Sequence, residues 1–271
     1  MHSTLKLAIG GLGAIGLTVA RRVDRGDLPG ITLAAVSARD LARARTRLAG
    51  FRNQPRLVEL GALAEHADVV LECVPARHFA EIATPVIEAG RILMPLSVGQ
   101  LLDHMHLVER AKATGARILV PTGALLGLDA VRAVGEGRVD SVRIVTRKPP
   151  RGLAGAPLLV QRGISVDGLT QPLKVFEGTA REAIRGFPAN VNVAVALSLA
   201  GIGPDRTLVE IWADPGVTRN THTIEVRSDS SDLSMTIANI PSEETPATGK
   251  VTALSAIAAL RRLTAPLVIG S

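Results

Sequence analysis

The chain has no tyrosine, one cysteine and one tryptophan among its 271 residues, and aromatic side chains make up only 2% of it. Each shortage closes a route. Without tyrosine, an oxidoreductase of the Tyr/Lys short-chain type is impossible, so any acid–base group must be His, Asp, Glu or Lys. Cys73 alone permits no internal disulfide and argues against a cysteine-rich metal site or a cysteine-containing zinc dehydrogenase centre, so no metal is expected. So few aromatics leave no platforms for stacked bases, and the basic residues are scattered. The net charge of +6 therefore reads as a general attraction for anions and not as a nucleic-acid surface. No apolar run reaches the ~18 residues of a membrane span. The first strand begins almost at the N-terminus, which leads us to expect no signal peptide and a soluble, cytoplasmic protein.

What the chain does have is concentrated at its start. Leu5, Leu7, Ala8 and Ile9 form a short apolar run, IGGLGAIG follows at once, and Leu17, Val19, Ala20 and Val23 then recur at helical spacing. A strand entering Gly11-Leu12-Gly13-Ala14-Ile15-Gly16 and leaving as a helix is the dinucleotide-binding fingerprint in its required context. Gly11 permits the tight turn, Gly13 lets backbone approach a pyrophosphate, and Gly16 lets helix and strand pack closely. The first helical turn, with Ala14 and Ile15, offers N–H groups and a positive dipole end to phosphates.

The spacing predicts strands over 31–36, 68–74, 92–97 and 116–120, alternating with helices over 40–48, 57–66, 77–89 and 101–114. That βαβ rhythm indicates a doubly wound parallel sheet. Roughly 20 residues past the glycine motif, an acid normally holds the ribose of NAD. Here the strand ends in Ser37-Ala38-Arg39, so Arg39 is a candidate for a 2′-phosphate and NADP is expected to be accepted alongside NAD. Glu72, Cys73 and Val74 close the 68–74 strand, where ligands of such sheets lie. Cys73 reads as a small buried residue beside the cofactor and not as a nucleophile. His104 and His106, two apart on a helix, point about 200° apart and cannot share a metal.

After Pro121 the pattern changes. Residues 139–147, 207–213, 222–228 and 233–239 alternate, with Val142, Ile144 and Thr146 on one face, as in a mostly antiparallel sheet covered on one side. Val191–Leu199 is an apolar helix, and Thr252–Leu263 a last one returning to the first domain. The expected division is 1–121 plus 246–271 and 122–245.

Four signatures mark the second half: PTGALLGLDA (121–130), TRKPP (146–150), FPANVNVA (187–194), and IWADP with NTHTIEV (211–215, 220–226). On these motifs, in this order along the whole chain, the sequence resembles the L-aspartate dehydrogenase family. The resemblance implies a Rossmann domain followed by an α/β catalytic domain like that of dihydrodipicolinate reductase and homoserine dehydrogenase. It implies NAD(P)-dependent oxidative deamination of L-aspartate to iminoaspartate, or the reverse, feeding NAD biosynthesis. It makes His222 the catalytic residue, and Ala124 and Asn190 contacts near the nicotinamide end of the cofactor. The family often carries Asn near the end of the 241–246 segment, where this chain has Thr245.

The chemistry is compatible. Hydride leaves an amino-acid Cα only from the neutral amine, so a base must take the ammonium proton, and histidine titrates in the right range. A substrate with two carboxylates needs donors. Candidates are backbone N–H groups of Thr122, Gly123 and Ala124 at a helix start, the amides of Asn192 and Asn220, and Lys148 or Arg147, of which strand geometry turns only one toward the site. The alternating strands suggest a homodimer. The same plan also suits a dehydrogenase of another amino or keto diacid, or a non-catalytic nucleotide sensor.

Overall fold

The computed structural model describes residues 4–188, 191–242 and 249–270. The chain forms two units, Met1–Pro121 with Ala253–Val268, and Thr122–Thr252 with Ile269–Ser271.

The first unit is built from β1 (Leu5–Gly10), α1 (Ala14–Asp24), β2 (Ile31–Ser37), α2 (Leu41–Leu48), β3 (Arg56–Leu57), β4 (Val69–Glu72), α3 (Phe79–Glu88), β5 (Ile92–Pro95), α4 (His106–Thr114) and β6 (Arg117–Ile118). All strands pair in parallel, in the order β3-β2-β1-β4-β5-β6. The order reverses between β1 and β4, and ligands of such sheets bind beyond the carboxyl ends at that switch. β4 is buried along its whole length, as the apolar run Val69–Leu71 requires of a strand covered on both faces. Leu7 and Ile9 of β1, Val19, Ala20 and Val23 of α1, and Val69 and Leu71 of β4 share one core. Ala256, Ile257 and Leu260 of a C-terminal helix complete it.

Two helical readings change in detail. The 101–114 segment is not one helix: a 3-10 turn spans Val98–Asp103 and α4 starts at His106. His104 falls in the break. Its Nδ1 lies 2.8 Å from the Gln100 carbonyl, and its ring packs 5.2 Å from Phe79 and 5.8 Å from His106. The 57–66 segment forms a 3-10 turn over Leu60–Glu65 instead of an α-helix. α3 runs through Pro85 without ending there.

The second unit contains α5 (Leu128–Gly135), β7 (Val139–Lys148), α6 (Pro157–Arg162), β8 (Leu173–Thr179), α7 (Ala180–Gly186), α8 (Asn192–Ala200), β9 (Thr207–Ala213), β10 (Thr221–Ser228) and β11 (Asp232–Ala238). Its sheet runs β11-β10-β7-β9-β8. Three of its pairings are antiparallel, but β7 and β9, the two central neighbours, are parallel. The long excursion through α6, β8, α7 and α8 between them supplies the crossover that a parallel pair needs. β8 was not legible as a strand because its segment, LKVFEGT, does not alternate cleanly: a register shift lies between Lys174 and Phe176. The final helix, α9 (Lys250–Thr264), carries the chain from this unit back to the first.

The glycine loop is where the fold is least tolerant. Gly11 has φ +97°, and a Cβ there would meet the Cys73 carbonyl oxygen at 2.6 Å. A Cβ on Gly16 would lie 2.0 Å from the Gly11 carbonyl oxygen, whereas one on Gly13 meets nothing within 4 Å. Gly16→Ala is therefore expected to destabilise the protein by about 1–3 kcal/mol in chemical denaturation. Gly13→Ala should stay within about 0.5 kcal/mol of the parent while weakening dinucleotide binding. Equal stability losses for both would refute this reading of the loop.

Candidate active site

In the first unit, α1 begins at Gly13, with no side-chain cap and no acid in its first turn. The N–H groups of its opening turn, around Ala14 and Ile15, are left to a ligand, and the space around Gly13 is open. That cradle fits a dinucleotide pyrophosphate. Three contacts fix it. The Gly11 N–H donates to the Ser37 carbonyl at 2.8 Å, tying the loop to the end of β2. The Cys73 N–H donates to the Gly10 carbonyl at 2.9 Å. Arg47 of α2 donates from Nη1 to the Leu12 carbonyl, a brace that nothing in the sequence announced.

Arg39 is exposed, while Asp40 is the N-cap of α2 and accepts from the Arg43 N–H at 2.9 Å. Asp40 is thereby occupied with its helix. At the β4 end, Glu72 turns inward, and the structure gives it a different role from that of a cofactor neighbour. Its carboxyl accepts from the Val74 N–H (3.0 Å), the Leu96 N–H (3.2 Å), the Ser97 N–H (2.9 Å) and the Ser97 hydroxyl (3.0 Å). Burial raises its pKa, and these four donors oppose the rise. Glu72 is a pin holding the ends of β4 and β5 in register. The Cys73 thiol, pushed up by burial and by the neighbouring Glu72, stays protonated and inert.

In the second unit, the candidate residues converge on one end of the sheet. β10 opens with Thr221, so His222 lies near its start, and the register sets His222 opposite Thr146 of β7. Thr146 Oγ1 and His222 Nδ1 are 3.0 Å apart, and both residues are buried. β7 ends at Lys148, two residues beyond Thr146 and on the same covered face as Val142 and Ile144. Of the basic pair it is thus Lys148 that faces the His222 side. Arg147 turns the other way, bonds Asp214 Oδ2 at 2.9 Å and lies 4.7 Å over the Trp212 ring.

The Thr122–Ala124 turn and Asn220 are tied to the same end by backbone. Thr122–Ala124 do not start a helix. They form a turn, with Gly123 at φ +66° and the Leu125 N–H donating to the Thr122 carbonyl at 3.1 Å, and α5 begins later, at Leu128. Gly123 takes a positive φ that a helical turn does not use, and Gly127, also at positive φ, is the N-cap from which α5 starts. The Ala124 carbonyl accepts from Asn239 Nδ2 at 3.0 Å, and the Asn239 N–H donates to the Asn220 carbonyl at 2.8 Å. Asn239, buried just past β11, thus links the turn to the strand that carries His222; sequence reasoning missed it, since it only closes an alternating run. Asn192 is the first residue of α8. Asn190 and Thr245 lie outside the described residues.

The electrostatics follow from burial. His222 is 2% exposed and Lys148 5%. Desolvation, with the nearby Lys148 charge second, pulls the His222 imidazole down to about 3. Desolvation alone pulls the Lys148 ammonium down to about 8. Burial thus favours the neutral imidazole at His222. Among the described residues no group of three His, Cys, Asp or Glu could hold a metal. No helix there is long and apolar enough to cross a membrane.

Comparison with known proteins finds two family matches along the chain. Residues 129–263 match the family described as "Aspartate dehydrogenase, C-terminal", and residues 11–121 match "Homoserine dehydrogenase, NAD binding domain". The chain is 54% identical to L-aspartate dehydrogenase 3 of Bordetella bronchiseptica, over 98% of each chain. The chain belongs to the L-aspartate dehydrogenase family. It is also 54% identical to the L-aspartate dehydrogenase of Bradyrhizobium diazoefficiens, over 99% of this chain and 95% of that one. Its fold is that of the crystal structure of aspartate dehydrogenase from Thermotoga maritima, with a TM-score of 0.76, 23% identity and coverage of 98% and 99%. As in that family, the first unit is an NAD-binding domain.

The Thr146–His222 pair has a direct test. Thr146→Val keeps the shape but leaves the buried Nδ1 without its partner. We expect a loss of about 1–3 kcal/mol in urea unfolding. An unchanged midpoint would mean that the hydrogen bond contributes nothing to the fold.

Proposed function

We propose that the protein catalyses NAD(P)-dependent oxidative deamination of L-aspartate to iminoaspartate, and the reverse reductive amination, feeding NAD biosynthesis. One observation carries this reading: a chain that belongs to the L-aspartate dehydrogenase family buries His222, Thr146 and Lys148 together at one end of its second sheet. The nicotinamide coenzyme, when bound, supplies the hydride acceptor. Gly11, Gly13, Ala14, Ile15 and Gly16 hold its pyrophosphate, Cys73 and Val74 lie along it, and Arg39 stands where a 2′-phosphate would be recognised. Ala124 and Asn190 are proposed to contact its nicotinamide end.

On the substrate side, the Thr122–Gly123 turn, Asn192, Asn220 and Lys148 are proposed to surround L-aspartate. His222, bonded through Nδ1 to Thr146, is proposed to take the proton of the reacting ammonium as the catalytic base. The half-exposed outward row of Arg143, Val145, Arg147 and Trp212 is the face we propose for a homodimer, and we propose a cytoplasmic protein. Light scattering checks the stoichiometry, and a monomer at working concentration refutes it.

The activity itself is tested by following reduced nicotinamide with each coenzyme and a panel of amino acids. Turnover of L-aspartate but not of L-glutamate or L-homoserine is expected. Turnover of another diacid in its place would reassign the substrate. His222→Ala should lower kcat by ~10²-fold or more while leaving coenzyme affinity nearly intact; a variant as fast as the parent removes His222 from the chemistry.

A further inference from the structure

Hydride transfer tolerates little error in distance. The reacting atoms must be held about 3–3.5 Å apart, and a misplacement of about 1 Å costs roughly 10²-fold in rate. In the second unit, the Ala124 turn and the start of β10 are the stretches proposed to meet the nicotinamide and the substrate amine, and they are far apart in the chain. A contact must therefore hold one against the other. The side chain that makes it is Asn239, which is none of the residues assigned to coenzyme or substrate.

Asn239 stands on the same face of the sheet as His222. His222 is paired with Ile237 of β11, and Asn239 follows Ile237 by two. The Asn239 N–H donates to the Asn220 carbonyl at 2.8 Å, which continues the β10–β11 ladder by one more pair. Asn239 is thus the diagonal neighbour of His222, roughly 7–8 Å away at the backbone. It is buried, and its Nδ2 donates to the Ala124 carbonyl at 3.0 Å. Within the turn, the Leu125 N–H donates to the Thr122 carbonyl at 3.1 Å. The turn therefore keeps its own shape, and Asn239 fixes where that shape lies. A second contact supports it: glycine at 127 leaves room for Met235 of β11, whose Sδ a Cβ there would strike. That contact is apolar and undirected, whereas the amide–carbonyl bond prescribes both a distance and an angle.

The amide is also packed against Gly249, where a Cβ would come within 3.1 Å of Asn239 Oδ1 and 3.2 Å of its Cγ. Gly249 pairs with Pro241, and the Lys250 N–H donates to the Ile240 carbonyl at 2.8 Å. The backbone on both sides of Asn239 is thus tied down, and the side chain has little room to turn from Ala124. The position calls for a short side chain that carries an N–H donor. Ionised aspartate has the same shape and only acceptors, and serine carries its hydroxyl on a shorter stem.

We propose that Asn239 is a positioning residue of the reaction: its amide sets the Ala124 turn at a fixed distance from His222, and so sets the approach of the substrate α-carbon to the nicotinamide ring. The inference rests on the reading of Ala124 as a nicotinamide contact and of His222 as the catalytic base. Asn239 itself moves no proton and touches neither reactant. Without its donor, the Ala124 carbonyl loses this partner and the turn is free to shift against β10. The chemical step then slows, because it depends on the spacing, while the binding energy gathered along the rest of the coenzyme is kept.

Asn239→Asp and Asn239→Ser test the assignment. Both should lower kcat for L-aspartate oxidation by ~10²-fold, counted per coenzyme-binding molecule. The dissociation constant for reduced coenzyme, from fluorescence titration, should change by no more than a few-fold. A residue that only supported the fold would lower the urea midpoint and leave kcat per binding molecule at the parental value, and that result overturns the proposal. Hydrogen exchange read by mass spectrometry gives a second measure that needs no turnover. In the coenzyme-free variants, peptides covering 122–128 should exchange faster while those covering β7 do not; unchanged exchange in 122–128 overturns the proposal. In the parent, reduced coenzyme should slow exchange in 122–128 and in 235–240 together. Slowing in the first segment alone shows that no rigid link joins the two and overturns the proposal, even where both variants fail to fold. A parent that does not oxidise L-aspartate at all overturns the functional reading beneath, an outcome distinct from an active parent whose Asn239 variants are equally active.

Discussion

Taking an amine and an imidazole out of water on one face of a sheet is the constraint that the second unit is arranged around. Two neighbouring nitrogen bases cannot both be charged in such a place, and burial alone lowers the affinity of each for a proton. The parallel pairing of β7 with β9 is what makes the burial possible. It sets Lys148 against Ala213 and Thr146 against Ile211, and the crossover it demands passes through α8. Arg147, one residue before Lys148, shows the contrast. On the opposite face it finds Asp214 and the Trp212 ring, and it behaves as an ordinary surface guanidinium in an ion pair.

The first unit solves a different problem with the same economy. A pyrophosphate cradle needs backbone N–H groups that are left unsatisfied until the ligand arrives, which makes the loop intrinsically unstable when empty. The loop is therefore fastened at points that do not consume those donors. Ser37 takes the Gly11 N–H, Gly10 takes the Cys73 N–H, and Arg47 reaches the Leu12 carbonyl from α2. Behind it, Glu72 gathers four donors from two strand ends. Its buried carboxyl makes the neighbouring strands behave as one rigid edge.

How much of this was legible follows from range. The glycine motif, the parallel strands and the face shared by Val142, Ile144 and Thr146 were readable because each depends on residues close together in the chain. Family resemblance supplied His222. Arg47, Asn239 and the inward turn of Glu72 were not readable, because each bonds a backbone atom dozens of residues away and leaves no local pattern. The turn at Thr122–Ala124 was misread as a helix start because the left-handed conformations of Gly123 and Gly127 have no signature beyond the glycines themselves. The parallel β7–β9 pair was hidden because alternation reports one covered face and not the direction of the neighbour. The burial of His222 was likewise not readable, because it comes from residues on other strands.

The core of the first unit includes Ala256, Ile257 and Leu260, residues that the ribosome adds more than a hundred positions after Pro121. During synthesis every strand of both sheets is translated before α9. The nucleotide-binding half must wait, its apolar surface open where α9 will lie, until translation is almost finished. At elongation rates of ~5–20 residues per second that interval lasts several seconds or longer. The nascent chain is then exposed at the very face that α9 later seals, so truncation of the last helix would be felt farthest from where it occurs, in the half built first.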